Sequence, residues 1–240
     1  MNDQRFDVIV IGASLAGASA ALSFREKKHS VLILDKSHFP RQKVCGEFLS
    51  PALWPWFEKM GIKEKVLKSG FHSVEKAFLY SPKGKRIEIQ FEQPALGLSR
   101  YCLDPILIDA AKERGVILKE GSLVTEKEPE AAGWILKVMK SGSMNEELYR
   151  AKKLIDASGK PAVLRKNLKE ENEMLGFQVH FENVDDMDHL LELYFFREGY
   201  GGIVRVENGG VNACFLLRKK GCILHGPLKN KFAAVFWSPE

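Results

Sequence analysis

Gly12-Ala13-Ser14-Leu15-Ala16-Gly17 is the stretch whose residue types bear most directly on chemistry. A chain that must turn sharply and bring its N–H groups onto a pyrophosphate needs residues without bulk. A helix that starts there aims its positive end at the phosphates. Asp35, with Lys36 beside it, follows at roughly the 20-residue spacing from which an acidic side chain accepts the hydroxyls of an adenosine ribose. Ser14 replaces the middle glycine of the G-x-G-x-x-G pattern; it stays small and adds a hydroxyl able to face a phosphate. These groups need a scaffold. The uninterrupted apolar run Val8 to Ile11 reads as a parallel strand buried on both faces. A small-residue helix follows from about Ala16 to Lys27, and Val31 to Leu34 reads as a second buried strand ending at Asp35. Strand, turn, helix, strand and terminal acid in that order describe a dinucleotide-binding βαβ unit.

The 240 residues, 45% of them hydrophobic, suffice for a sizeable core, as one large domain or two intertwined ones. The formal charge of +5 comes from lysines and arginines dispersed among nearly as many acids. That favours dispersed solvated faces over a nucleic-acid-binding stripe and leaves anionic ligands open. No apolar run reaches membrane-spanning length, so the chain reads as cytoplasmic, with peripheral membrane contact left open. Cys45, Cys102, Cys214 and Cys222 form no C-x-x-C pair, which indicates neither a disulfide framework nor a zinc site; no metal is expected.

After Asp35 the chain enters a loop, Ser37 to Glu47, where an ordinary dinucleotide dehydrogenase would continue with a helix. A short helix begins near Pro55, and Trp54-Pro55-Trp56-Phe57 reads as its packing side rather than a ligand platform. Alternation from Val74 to Phe91 around Ser81-Pro82-Lys83-Gly84 predicts a hairpin with a basic tip. Asp104 as N-cap, Pro105 in the first turn and Gly115 as stop predict the next helix, and Val116 to Lys119 returns to the parallel sheet. Val124 to Ala151 reads as a β-meander, and Leu154 to Gly159 repeats the opening logic of buried strand, small residues and glycine. Gly176 to Phe181, Leu191 to Phe196, Ile203 to Glu207 and Val211 to Leu217 read as an antiparallel sheet, the last two joined at Asn208-Gly209-Gly210. Tyr149 and Lys153 have the Y-x-x-x-K spacing of short-chain dehydrogenases but lie in a strand-like stretch, so the match reads as coincidence.

With these residues in view, the chain resembles the FAD-dependent oxidoreductases of the geranylgeranyl reductase type, within the fold group of aromatic-ring hydroxylases and flavin-dependent halogenases. The likeness is carried by DVIVIGASLAGASAAL with Asp35, by FPRQKVCGEFLSP, by LSRYCLDPILIDAAKERGV and by KKLIDASGK. A fifth stretch, LELYFFREGYGGIVRVENGGVNACFLL, resembles the substrate-domain strands of the reductase branch. The resemblance implies an α/β, Rossmann-like FAD-binding domain with a parallel sheet, interleaved with an antiparallel substrate-domain sheet. The corresponding division is 1–70 and 99–165 for the FAD-binding parts, 71–98 for a substrate-domain hairpin and 166–240 for the substrate-domain sheet.

The same resemblance implies roles. Gly12, Ala13, Ser14, Leu15, Ala16 and Gly17 would hold the pyrophosphate, and Asp35 with its neighbour Lys36 the adenosine ribose. Arg41, Cys45, Gly46 and Glu47 would lie beside the flavin, and Arg100 would contact the cofactor. Val124 would present backbone to the adenine, and Asp156 to Gly159 would close over the nucleotide. Cys45 is the catalytic candidate, placed to touch substrate or help deliver a proton; the plain alternative is a small residue in a tight turn. The activity implied is transfer of reducing equivalents from NAD(P)H through FAD to a small isoprenoid or polyketide-like substrate. A monooxygenase or halogenase, or a non-catalytic nucleotide-binding remnant, are the alternatives, and the oligomeric state stays open. The family's later Gly-Asp pair, whose carboxylate binds the ribityl chain, has no counterpart in this sequence. The expectation is therefore a C-terminally truncated chain that holds the flavin poorly by itself.

Overall fold

The computed structural model describes residues 4–143, 145–159, 174–184, 187 and 189–218. The opening unit forms as expected: β1 (Gln4–Ile11), α1 (Leu15–Glu26) and β2 (Val31–Leu34), with β1 and β2 parallel. The apolar runs are unbroken because both faces are covered. Val8, Val10, Val31 and Ile33 pack with Ala18, Ala21 and Leu22 of α1 in one core. Ile9, Ile11, Leu32 and Leu34 pack with Val124, Leu136, Val138 and Tyr149 in another. Each such fully buried aliphatic side chain contributes about 1.5–3 kcal/mol.

A two-residue strand β3 (Phe48–Leu49), a 3₁₀ turn Pro51–Leu53, and the helices α2 (Trp54–Lys59) and α3 (Lys63–Leu67) follow. Phe57 is buried edge-on to Trp54, which also meets Phe71, so these aromatics are core. The predicted hairpin is β4 (His72–Tyr80) and β5 (Arg86–Gly97). Its turn closes with Ser81 N–H donating to Lys85 O at 2.8 Å and with Gly84 at φ +74°.

The next helix, α4, spans Arg100–Glu113, and its start corrects the expectation. Ser99, not Asp104, is the N-cap: its hydroxyl accepts from Cys102 N–H at 3.2 Å. Pro105 lies inside the helix. Asp104 is unavailable as a cap because its carboxylate is bound to Arg100 and Ser14. β6 (Ile117–Lys119) then pairs parallel with β2.

The meander consists of β7 (Ser122–Glu130), β8 (Gly133–Lys140) and β9 (Glu146–Asp156). β9 pairs antiparallel with β8 and parallel with β1, giving one sheet of order β6-β2-β1-β9-β8-β7. The meander and the later buried strand are thus one continuous element. Tyr149 and Lys153 both lie on it, and the Tyr149 hydroxyl is taken by Lys119 and Glu147.

The second sheet gathers β10 (Met174–Phe181), β11 (Leu190–Phe196), β12 (Gly199–Arg205) and β13 (Val211–Arg218) with the earlier strands, in the order β10-β13-β12-β11-β4-β5-β3. Among the described residues all its pairings are antiparallel except β4 with β11. Ser99 N–H donates to Glu207 Oε2 at 2.8 Å and the Ser99 hydroxyl to Oε1, tying the start of α4 to the β12–β13 turn. Among the described residues no helix is long and apolar enough to cross a membrane. Cys222 and the rest of 219–240 lie outside the described residues, as do 160–173.

Candidate functional site

The carboxyl ends of β1, β2 and β9, the start of β7 and the loop after β2 surround a cavity of about 270 Å³. Gly12, Ser14, Asp35, Lys36, Arg41 and Val124, all named from the sequence, line it. Ser158, from the stretch expected to close over the nucleotide, lines it too, as do Lys43 and Ser122, which were not singled out. Lys43 had a signal, a second cation two residues after Arg41 in the same loop. Ser122 had none: it arrives because its N–H donates to Asp35 O at 2.8 Å, joining the meander to the end of β2.

Asp35 is buried and already engaged. Its Oδ2 accepts from Ala13 N–H at 2.7 Å and its Oδ1 from Ser37 N–H at 2.8 Å, so it braces the glycine turn against the loop. Each oxygen keeps a further lone pair. Gly12 sits at φ +98°, and a Cβ there would stand 2.5 Å from the Ala157 carbonyl oxygen. A Cβ on Gly17 would overlap the Gly12 carbonyl oxygen at 1.7 Å. Both glycines are therefore required by backbone packing, Gly12 for the approach of the segment after β9 and Gly17 for seating α1 on the turn. Asp156 points its carboxylate to Lys127 at 2.7 Å and to the Ser158 hydroxyl at 2.6 Å, which shapes that segment. Burial would raise its pKa, but these partners hold it below the ordinary carboxylate value. Gly159 adopts φ +80° beyond it, near the Lys43 amine.

Ala13, Leu15, Ala16, Gly17 and Arg100 are outside the cavity lining. Arg100 is buried behind Ser14, with Nε 2.9 Å from Asp104 Oδ1 and its guanidinium also on the Ser14 hydroxyl. Burial alone would lower its pKa; Asp104, with a smaller contribution from Cys45, raises it instead. Ser14 in turn donates to Asp104 Oδ2 at 2.7 Å and does not cap α1. Among the described residues the first-turn N–H groups of α1 thus have no side-chain cap. Burial, reinforced by Arg100 and Arg41, pulls the Lys43 pKa down.

Cys45, Gly46 and Glu47 are also outside the lining, and Cys45 and Glu47 contact the second sheet. The Cys45 carbonyl accepts from Asn212 Nδ2 at 3.0 Å. Glu47 is buried at φ +54°; its Oε1 accepts from Arg100 N–H at 2.9 Å, and its Oε2 lies 2.7 Å from His180 Nε2. Its carboxylate therefore joins α4 to β10. Burial, with Cys45 and Glu47 nearby, pushes the Cys214 thiol up to about 11.

The polar groups around the cavity suit an adenosine diphosphate anion. Arg41 Nε is buried without a hydrogen-bond partner among the described residues, a donor in need of an acceptor. Arg41, Lys43 and the uncapped end of α1 supply positive potential, and the Asp35 carboxylate supplies an acceptor. The FAD binding domain family matches residues 5–210. The chain belongs to this family.

This FAD-binding chain is 27% identical over 214 residues to the 1H-pyrrole-2-carbonyl peptidyl-carrier-protein chlorinase of Pseudomonas fluorescens, covering 77% of the chain and 47% of that protein. It is 26% identical over 125 residues to a menaquinone reductase of Mycobacterium tuberculosis, covering 50% of the chain and 30% of the relative. It thus spans less than half the length of either. The solved structure of a geranylgeranyl bacteriochlorophyll reductase-like protein from Thermoplasma acidophilum matches with a TM-score of 0.79 at 21% identity, over 98% of the chain and 62% of that structure. The fold is that of the reductase and halogenase group.

Proposed function

We propose that the chain is the FAD-binding part of an oxidoreductase that takes reducing equivalents from NAD(P)H and passes them to a small isoprenoid or polyketide-like molecule. The observation that carries this reading is the cavity itself, lined by an acid that braces the glycine turn and by an arginine whose buried Nε has no partner among the described residues. Asp35 accepts the ribose hydroxyls through the lone pairs its backbone partners leave. The N–H groups of Ser14, Leu15 and Ala16, with Arg41 and Lys43, take the diphosphate, and Val124 borders the adenine. FAD, when bound, supplies the two-electron redox chemistry. Arg100 holds Ser14 and the Cys45 loop in fixed relation between the two sheets, and Cys45 is the group offered to substrate. The domain division given from the sequence is retained in this reading. A halogenase is the second reading, favoured by the chlorinase relative, which matches more of the chain than the menaquinone reductase does.

Anaerobic and aerobic assays separate the two. A reductase oxidises NADPH and saturates an allylic substrate without oxygen; a halogenase needs oxygen and gives a product that depends on added chloride or bromide. Halide-dependent product would overturn the reductase reading.

A further inference from the structure

The second sheet brings a polar group up against the Cys45 loop. Gln178 and His180 share one face of β10, and they stand in register with Cys214 and Asn212 of β13. Asn212, fully buried, ties this face to the loop through the Cys45 carbonyl, and Gln178 Nε2 donates to its Oδ1 at 2.9 Å. His180 meets Glu47, whose side chain is fully buried while the imidazole keeps 27% exposure. The other Glu47 oxygen is fixed by the first N–H of α4, so the carboxylate cannot swing away without freeing a buried donor.

A histidine with one nitrogen on a fixed buried carboxylate and the other nitrogen unclaimed is oriented for proton transfer. Glu47 engages Nε2, and Nδ1 has no partner among the described residues. The charged and titratable groups around the pair are Cys45 on the loop, Cys214 on β13, and Arg100 and Asp104 on α4 behind Glu47.

We propose that His180, oriented by Glu47, donates the proton that accompanies hydride in the reductase reaction proposed above, on which this assignment rests. Saturating a carbon–carbon double bond adds a hydride to one carbon and a proton to its neighbour. With reduced flavin as the source of the hydride and its two electrons, the Nδ1–H bond of the doubly protonated His180 ring breaks, its electron pair stays on the nitrogen, and a C–H bond forms on the second carbon. The neutral imidazole then regains a proton from solvent through its exposed edge. His180 is the catalytic residue of this step and Glu47 a positioning residue.

The test uses the full chain loaded with FAD. Nitrogen-15 NMR of labelled histidine at alkaline pH is expected to show His180 as the Nε2–H tautomer, and Glu47→Gln to mix the tautomers; an Nδ1–H tautomer in the wild type would overturn the assignment. In stopped flow, dithionite-reduced protein is mixed anaerobically with citral, an α,β-unsaturated aldehyde. His180→Asn is expected to slow flavin reoxidation about a hundredfold while FAD affinity and reduction by NADPH stay unchanged. Reoxidation at the wild-type rate overturns the assignment and leaves the reductase reading standing. If His180→Asn loses FAD, His180→Gln takes its place under the same criterion. A wild type inert to citral counts against the reductase reading itself, and the tautomer measurement then decides the Glu47–His180 pairing alone.

Discussion

Replacing Asp35 by alanine should damage both the empty fold and cofactor binding, to different extents. The carboxylate accepts two backbone N–H groups, from Ala13 at 2.7 Å and Ser37 at 2.8 Å. Hydrogen bonds to a charged acceptor contribute about 1.5–3 kcal/mol each. Ala13 is fully buried, so its N–H loses its acceptor outright, whereas the Ser37 N–H is only partly buried and can turn to water. The expected loss of stability in Asp35→Ala is therefore about 2–3 kcal/mol, mostly from Ala13. Asp35→Asn keeps one carbonyl oxygen and should lose roughly half of that. The ribose contact adds a separate effect, an affinity for FAD about ten- to a hundredfold weaker. Urea unfolding of the apoprotein gives the first quantity and flavin fluorescence quenching the second. An alanine variant with the wild-type unfolding midpoint would refute the bracing role, and one with unchanged FAD affinity would place the ribose elsewhere.

Arg100→Met should destabilise by about 3–5 kcal/mol, because it leaves the buried Asp104 carboxylate without its cation. Adding Asp104→Leu should recover part of that loss, and urea denaturation of the single and double variants checks it. Gly12→Ala must accommodate a Cβ 2.5 Å from the Ala157 carbonyl oxygen at φ +98°, so a lower thermal midpoint and lost FAD binding are expected together. The Cys214 thiol ionises at about 11 in the folded chain against the ordinary 9.0. Between those values the unfolded chain has released the proton and the folded chain has not, so this contribution is full below the lower value and falls as pH rises towards the upper one. Denaturation midpoints across that range should drop less steeply in Cys214→Ala.

The βαβ core was legible because each of its strands is buried on both faces and needs an unbroken apolar run; Val31–Leu34 begins and ends where the residues alone place it. The start of α4 was not. Asp104-Pro105 is the better local cap signal, and it loses to Ser99 because Arg100, Ser14 and Glu207, distant in sequence or across a turn, claim the competing groups. Glu47 was expected beside the flavin from the resemblance alone; that its carboxylate also joins α4 to β10 was not legible, because both partners lie on elements distant in sequence. Ser122 reaches the cavity only through the return of the meander to Asp35, a contact with no trace in local sequence. The parallel pairing of β4 with β11 was equally hidden, since alternation reports a face and not a direction.

Competition between FAD, ADP and FMN for the purified chain tests the central claim, that the cavity beside Gly12, Asp35, Arg41 and Lys43 is the adenosine diphosphate half of a flavin site. Titration by calorimetry should show FAD and ADP displacing one another, with both weakened in Asp35→Ala and neither displaced by FMN. FMN binding as tight as FAD, or FAD binding that ADP cannot displace, would contradict it.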